Sequence, residues 1–366
     1  MTQSIVHIVH GFHIGGLENL IVNCINQMGN GYHHTIISLT TVGDIIEQII
    51  PEITTISLNK PPGNSLRLYF SLFKQLRRLK PDVVQTYNLA TIEYQCVAAL
   101  ARVPVRIHAE HGRDSYDPAG TVKKYRYLRK ISAIWIHQVI AVSDDLYQWL
   151  AQNVGIPQDK LKLIRNGINT QHFHPINKTL TSAVFTFGHV ARLQSIKNQQ
   201  LLITAYQEAC TRSPSFLENT QLILVGDGDQ RPTLEKLAAK SATSNHIHFA
   251  GCQENMRQQY ATFDAFVLSS IAEGIPLTLL ESMSMGIPHI VTTVGGVNEV
   301  IIEGHTGVGI PSQDHQALAD ALLRFYQQRS ELPTMGQAAR SRIEQHFSES
   351  VMVNEYKKVY AYELNT

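Results

Sequence analysis

Cysteine is scarce in this 366-residue chain. The four thiols, Cys24, Cys96, Cys210 and Cys252, lie too far apart in sequence to form a CxxC pair. A redox motif or thiolate metal site is therefore not expected, and all four read as small core residues. Net charge is equally scarce, at +1, which argues against bulk nucleic-acid binding, since that needs a strongly basic domain. Long apolar runs are missing too. Even SAIWIHQVIAVS is interrupted by His137 and Gln138, well short of the roughly 18 residues a membrane-spanning helix needs. The opening MTQSIVHIVHGF has no basic leader ahead of its apolar residues, so no secretory signal is expected and a soluble, cytoplasmic protein is.

What is present is histidine, 17 residues in all. The run His108-Ala109-Glu110-His111 has the composition of a ligand cluster, but it ends a strand-like segment in which alternate side chains diverge. No metal site is expected there.

The length suits roughly two domains of about 150 residues each, and the pattern repeats accordingly. SIVHIVH runs through a glycine turn into the amphipathic ENLIVNCINQM; HTIISLT, TTISL, DVVQTY, VRIHAEH and QVIAVS follow, separated by helical segments. After the loop IRNGINTQHFHP the alternation restarts with FTFGHVAR, QLILVGDG, HIHFAG, AFVLSS and PHIVTT. Strands alternating with helices predict α/β architecture: two Rossmann-like, doubly wound parallel sheets facing a central cleft. The expected divisions are residues 1–175, residues 176–345 and a closing helix at 346–366 that crosses back to the first domain. The last helix should present Met352, Tyr356, Val359 and Tyr360 on one stripe. Charge is polarised between the halves: residues 1–175 hold 17 Lys and Arg against 12 Asp and Glu, and residues 176–366 hold 14 against 18.

In EGIPLTLLESMSMGIP, Pro276 suits a first helical position and Gly286 with Pro288 marks the stop, giving a helix from about Pro276 to Met285. Its exposed N–H groups form an anion site. Glu281 lies on the same face as Leu277, about 6 Å further along. It is placed to accept two ribose hydroxyls if a diphosphate sits at the helix start, and Glu273 would then face the other end of the ligand. Arg192 and Lys197, in the loop after FGHV, can meet such a diphosphate. In the first half, the turn Gly15-Gly16-Leu17-Glu18 lets backbone approach a phosphate, and His111-Gly112-Arg113-Asp114 ends a strand on the same side of its sheet. Asp227 and Asp229 in VGDGD have the look of paired metal-binding aspartates but read as ordinary turn chemistry.

Taken together, GGLE, EHGRD, VSDDL, IRNGINTQHFHP, GHVARLQSIKN, LILVGDGDQ, HIHFAG and the stretch from EGIPLTLLE through MGIPHIVTTVGGVNEVI resemble the retaining glycosyltransferases of family 4, which have the GT-B fold. HIVHGFHIGGLENLIVN and RIHAEHGRDSYDPAGTVKKYRYLRK are similar to the bacterial subgroup associated with exopolysaccharide and exosortase systems. The resemblance implies transfer of a sugar from a nucleoside diphosphate sugar, UDP-sugar foremost, to a hydroxyl of a saccharide or polyprenyl-linked acceptor. By the same resemblance, Arg192 and Lys197 bind the diphosphate, Glu281 the ribose, and Glu273 and His111 the transferred sugar. The backbone of Gly274, Ile275, Pro276, Leu277 and Thr278 lies along sugar and phosphates, Gly16 approaches the diphosphate, and Asn166-Gly167 matches the interdomain motif. His189 departs from the small residue many relatives carry.

The expected reaction is retaining and needs neither metal nor other cofactor, because Arg192, Lys197 and the helix start carry the leaving-group charge. Lys123, Lys124, Arg126, Arg129 and Lys130 interleave with Tyr125, Tyr127 and Leu128, while Arg67, Lys74, Arg77, Arg78 and Lys80 follow one another upstream. Both stretches suit either contact with an anionic membrane or two ordinary solvated helix faces. A nucleotide-sugar epimerase of the same fold, a sugar phosphorylase and an inactive nucleotide-sugar-binding protein are the rivals.

Overall fold

The computed structural model describes residues 2–63, 65–114, 116–176 and 184–361. The chain divides into two compact units, Met1–Asn166 with Glu349–Thr366, and Gly167–Ser348. The division falls between Asn166 and Gly167 rather than at 175/176. The reason is that residues after Gly167 are already anchored in the second unit. Ile168 N donates to Phe347 O at 2.9 Å, and Phe173 and Ile176 pack against that unit's core. The return to the first unit comes at Glu349 instead of residue 346.

The first unit is a seven-stranded parallel sheet made of β1 (Gln3–Val9), β2 (Tyr32–Ser38), β3 (Thr54–Ser57), β4 (Val83–Tyr87), β5 (Val105–Glu110), β6 (Gln138–Ala141) and β7 (Leu161–Leu163), in the order β3-β2-β1-β4-β5-β6-β7. The second is a six-stranded parallel sheet of β8 (Phe185–Val190), β9 (Thr220–Val225), β10 (Ile247–Gly251), β11 (Ala265–Leu268), β12 (His289–Thr292) and β13 (Gly307–Ile310), in the order β10-β9-β8-β11-β12-β13. Two strands escaped the sequence reading. β7 has three residues, and β13 is the glycine-rich GVGI, so neither shows the β-branched alternation that marks a strand.

Both sheets reverse direction beside their first strand, at β1/β4 and at β8/β11. Such a switch point leaves a crevice outside the carboxyl ends of the strands, where open α/β sheets bind ligands. The central strands, such as β4, β8 and β11, are buried on both faces. Within β11, Val267 joins one hydrophobic cluster with Phe187 and Leu224, while Phe266 and Leu268 join another with Val190 and Val225. That alternation is the two-residue side-chain period of a strand.

The helix Glu349–Tyr360 belongs to the first unit. Met352, Tyr356, Val359 and Tyr360 are all buried, and the Tyr360 carbonyl accepts from Gln3 Nε2 at 2.8 Å. Of the cysteines, Cys24 and Cys210 are buried as expected, whereas Cys96 is half-buried and Cys252 exposed. Cys96 still packs against the core of the first unit, so only Cys252 departs from the expectation.

Candidate active site

In the second unit the loop after β8 carries Arg192 and Lys197, and the loop after β11 carries Glu273. The two loops are stitched together at the switch point. Ile271 N donates to Ile196 O at 2.8 Å, and the buried Ser269 hydroxyl donates to Lys197 O at 3.0 Å. Lys197 Nζ then lies 2.6 Å from Glu273 Oε1, and Ser270 Oγ donates to the same oxygen at 2.6 Å. The Glu273 side chain is only 8% exposed. A carboxylate so desolvated is held by its two donors. Arg192 is exposed, and no described carboxylate pairs with it, so its guanidinium is available to an anion.

The helix that follows runs Leu277–Ser284, with Pro276 as its N-cap in extended backbone, φ −72° and ψ 126°. Pro276 is thus the residue before the helix rather than its first residue. Its carbonyl accepts from Leu279 and Leu280 N at 3.2 and 3.3 Å, which closes the first turn without any N–H of its own. Glu281 sits one turn inside. It is partly buried, and burial pushes its carboxyl up to about 7 although the buried Tyr260 hydroxyl donates to Oε2 at 2.6 Å. Ile275 turns its side chain into the core, at 3% exposure, so only its main chain can line a ligand. Gly274 and Pro276 are likewise buried, while Leu277 and Thr278 are half-buried.

Two glycines whose purpose sequence reasoning missed support these loops. Gly295 has φ +49°, and a Cβ there would stand 2.0 Å from the Glu273 carbonyl oxygen. Gly226, with φ +123°, would place a Cβ 2.1 Å from the Ala191 carbonyl oxygen. VGDGD and TVGGV therefore back the loops that present Arg192 and Glu273. Asp227 is used locally: its carboxylate accepts from Gly228 N at 2.7 Å and from Arg231 at 3.0 Å. Among the described residues no three His, Cys, Asp or Glu side chains gather to hold a metal ion.

In the first unit, Gly15 caps the helix Gly16–Met28, and a Cβ on Gly16 would meet nothing within 4 Å. His111 follows β5, also at a carboxyl end. Its N donates to Asn88 Oδ1 at 2.8 Å, and its ring bonds the Asn166 side chain. Burial holds its pKa down to about 4, so the ring is neutral, and its buried Nε2 has no partner among the described residues.

The neighbouring His108 and Glu110 do meet, at 3.2 Å, because residues two apart in a strand share a face. Their side chains converge instead of diverging. Glu110 also takes Arg129 Nε at 2.6 Å. Burial would raise the Glu110 pKa, but Arg129 and His108 hold it at about 2. Arg129 reaches Asp114 at 2.9 Å as well. Its side chain is 1% exposed, so it is an internal ion-pair partner and cannot belong to a membrane-facing surface.

Residues 175–342 match the family model of group 1 glycosyl transferases, and residues 14–172 match that of glycosyltransferase family 4. The UDP-Gal:alpha-D-GlcNAc-diphosphoundecaprenol alpha-1,3-galactosyltransferase of Escherichia coli is 26% identical over 81% of this chain and 79% of its own. The N-acetyl-alpha-D-glucosaminyl L-malate synthase of Bacillus anthracis is 30% identical over 47% of this chain. That match spans 44% of the relative's own length. Among solved structures, Anabaena HepE in complex with UDP and glucose aligns at TM-score 0.84 and 18% identity, covering 98% of this chain and 99% of that one. Sucrose-phosphate synthase of Thermosynechococcus elongatus aligns at TM-score 0.81 and 20% identity, covering 98% of each chain. The chain belongs to the family 4 glycosyltransferases and has their two-domain GT-B fold.

Proposed function

We propose that the protein transfers a sugar from a UDP-sugar to a hydroxyl of a saccharide or polyprenyl-linked saccharide, with retention at the anomeric carbon, in bacterial surface or exopolysaccharide synthesis. The observation that carries this reading is the convergence at the β8/β11 switch point of an available cation, Arg192, a second cation, Lys197, and a helix start with Glu281 one turn behind it. A departing diphosphate needs that charge as the sugar becomes cationic, and preorganised donors supply it without reorganisation. Arg192, Lys197 and the Leu277 helix start therefore stabilise the leaving group, Glu281 accepts the ribose hydroxyls, and Glu273 contacts the sugar. His111 and Gly16 keep the sugar and diphosphate roles that the family resemblance assigns them. With the leaving-group charge met by side chains, the step calls for no metal. Retention without an enzyme nucleophile follows from attack on the leaving-group face, with a diphosphate oxygen taking the acceptor proton. A UDP-galactose-dependent relative and a structural neighbour solved with UDP support the choice of donor.

The acceptor side rests on the helical layer of the first unit. Helix Leu66–Leu79 packs beside helix Gln95–Leu100, which packs beside the turn Ala133–Trp135 closing helix Lys123–Ser132. The outward sides of this layer carry Leu66, Phe70, Leu100, Tyr127 and Ile134, each more than 60% exposed, together with exposed Arg67, Lys74, Arg77, Arg78, Lys123, Lys124 and Lys130. Large apolar side chains set among cations fit an anionic lipid surface, where a lipid-linked acceptor resides. On this reading the protein works as a peripheral enzyme on the cytoplasmic face. No helix among the described residues is long and apolar enough to cross a membrane.

The test of the main reading is incubation with UDP-, GDP- and ADP-sugars, following nucleotide release with and without lipid-linked or soluble acceptor. Acceptor-dependent UDP release with retained configuration is the expected result. An altered sugar nucleotide formed without acceptor would identify an epimerase instead.

A further inference from the structure

The end of β8 carries a histidine that the reading above leaves unused. His189 is fully buried, and its Nδ1 lies 2.8 Å from the Val267 carbonyl oxygen of β11. A carbonyl only accepts, so Nδ1 carries the proton. Burial holds the ring pKa down to about 4, which keeps the imidazole neutral and leaves Nε2 as an acceptor. Gln199 Nε2 meets that acceptor at 3.2 Å and also reaches the Arg192 carbonyl oxygen at 3.0 Å. The Gln199 amide nitrogen thus spends both hydrogens on two acceptors, and turning the amide over would set its oxygen against both. His189 thereby dictates which way Gln199 points.

The Arg192 carbonyl is one of the points that hold the loop. It accepts a second bond from Gln194 N at 2.9 Å, and the segment proceeds through Lys197 N, which donates to Gln194 O at 2.9 Å. Gln199 is 1% exposed at the start of helix Gln199–Arg212, so it reaches back from a rigid element into the loop. A continuous chain of bonds therefore runs from β11 through His189 and Gln199 to the main chain between the two donor-site cations.

We propose that His189 and Gln199 are positioning residues for donor binding: the histidine, held as its Nδ1–H tautomer, orients the Gln199 amide, which clamps the Arg192 carbonyl and so aims Arg192 and Lys197 at the donor diphosphate. The proposal rests on the diphosphate role assigned above to those two cations. It adds two residues that touch no ligand and explains the buried imidazole near the end of β8.

The test joins calorimetry with NMR. Gln199→Met keeps the length and helix-forming character of the side chain but removes both donated bonds. It should weaken UDP binding and raise the donor KM by roughly fivefold to tenfold, the size of a hydrogen bond or two, with acceptor KM close to wild type and the fold retained at a lowered melting temperature, since the buried His189 Nε2 loses its donor. Long-range proton–nitrogen spectra should show His189 protonated at Nδ1 alone in the wild type. In Gln199→Glu, which offers an oxygen where Nε2 needs a donor, the ring should take up a second proton, a change that loosened packing would not produce. Wild-type donor affinity in Gln199→Met, alongside weakened affinity in Arg192→Ala, would overturn the positioning role and leave the donor reading standing. A His189 ring protonated at Nε2 in the wild type would also overturn it. Failure of the wild-type protein to bind any nucleotide would overturn both.

Discussion

Lys197 Nζ stands 2.6 Å from Glu273 Oε1, and the Ser270 hydroxyl donates to that same oxygen at 2.6 Å. The acid beyond β11 is thus held by the cation beyond β8, while the second acid of the motif, Glu281, answers to Tyr260. The two glutamates sit in separate hydrogen-bond systems. Their losses should separate in the same way. Glu281→Ala should weaken UDP binding by about 2–3 kcal/mol, the scale of charge-assisted bonds to two hydroxyls. Glu273→Ala should lower kcat by roughly a hundredfold, the scale of one transition-state contact, with UDP affinity nearly unchanged because Lys197 is released and not removed. Equal loss of nucleotide binding in both variants, read by calorimetry, would refute this division.

Donor affinity should depend on pH through Glu281. Burial raises its pKa to about 7, so the carboxyl is protonated below that pH, and only the ionised form offers both oxygens as full acceptors to ribose. Affinity for a UDP-sugar, whose diphosphate is ionised throughout, should therefore rise as pH increases from about 6 to about 8. The linkage to stability runs the other way. A carboxyl whose folded pKa lies above its unfolded value stabilises least when ionised, so the unliganded protein should lose stability as pH rises from about 4.5 to about 7 and change little above that. Glu281→Gln should flatten the affinity profile. An unchanged slope in that variant would assign the titration to another group.

Gly295 is a position where a single methyl group should disturb the site. Its φ of +49° already disfavours a side chain, and a Cβ would press to 2.0 Å from the Glu273 carbonyl oxygen. Gly295→Ala should cost about 1–3 kcal/mol of stability. It should also reduce turnover at temperatures where the fold persists, since the displaced element is the Glu273 loop. Melting curves and single-turnover rates measured well below the transition separate the two effects. A folded variant with wild-type turnover would show that the loop has slack.

The cationic helical layer of the first unit should bind vesicles containing phosphatidylglycerol at low salt and leave neutral vesicles alone. Replacing Lys74, Arg77 and Arg78 with Gln should weaken partitioning by about 3 kcal/mol, roughly a hundredfold. Phe70→Ser combined with Ile134→Ser should weaken it with little change in salt dependence. Arg129→Gln should act on folding instead, because that guanidinium is buried between Glu110 and Asp114. Flotation measurements with equal binding to neutral and anionic vesicles would exclude electrostatic docking.

The alternation of strands with helices, its duplication, the placing of Arg192, Lys197 and Glu273 in loops after strands, and that of Glu281 one turn into a helix were legible in the sequence alone. Hydrophobic periodicity and the punctuation by glycine and proline are local signals, readable within about 20 residues. β7 escaped because three residues are too few to show a period, and β13 because glycine fills its alternate positions; the unit boundary moved because Ile168 and Phe173 were claimed by partners far along the chain. Side-chain partnership lay wholly beyond reach. Nothing local in KKYRYLRK distinguishes Arg129 from its exposed neighbours. Only a sheet that delivers Glu110 and Asp114 to the same spot buries it as an ion pair. The same holds for Tyr260 with Glu281, for Gly295 behind Glu273, and for His189 with Gln199. Those pairs span 10 to 22 positions in sequence, or join neighbouring strands, and a hydrogen bond or a close approach depends on where two backbones meet in space. The sequence determined which chemistry the chain carries; the tertiary structure decided which residue each group answers to.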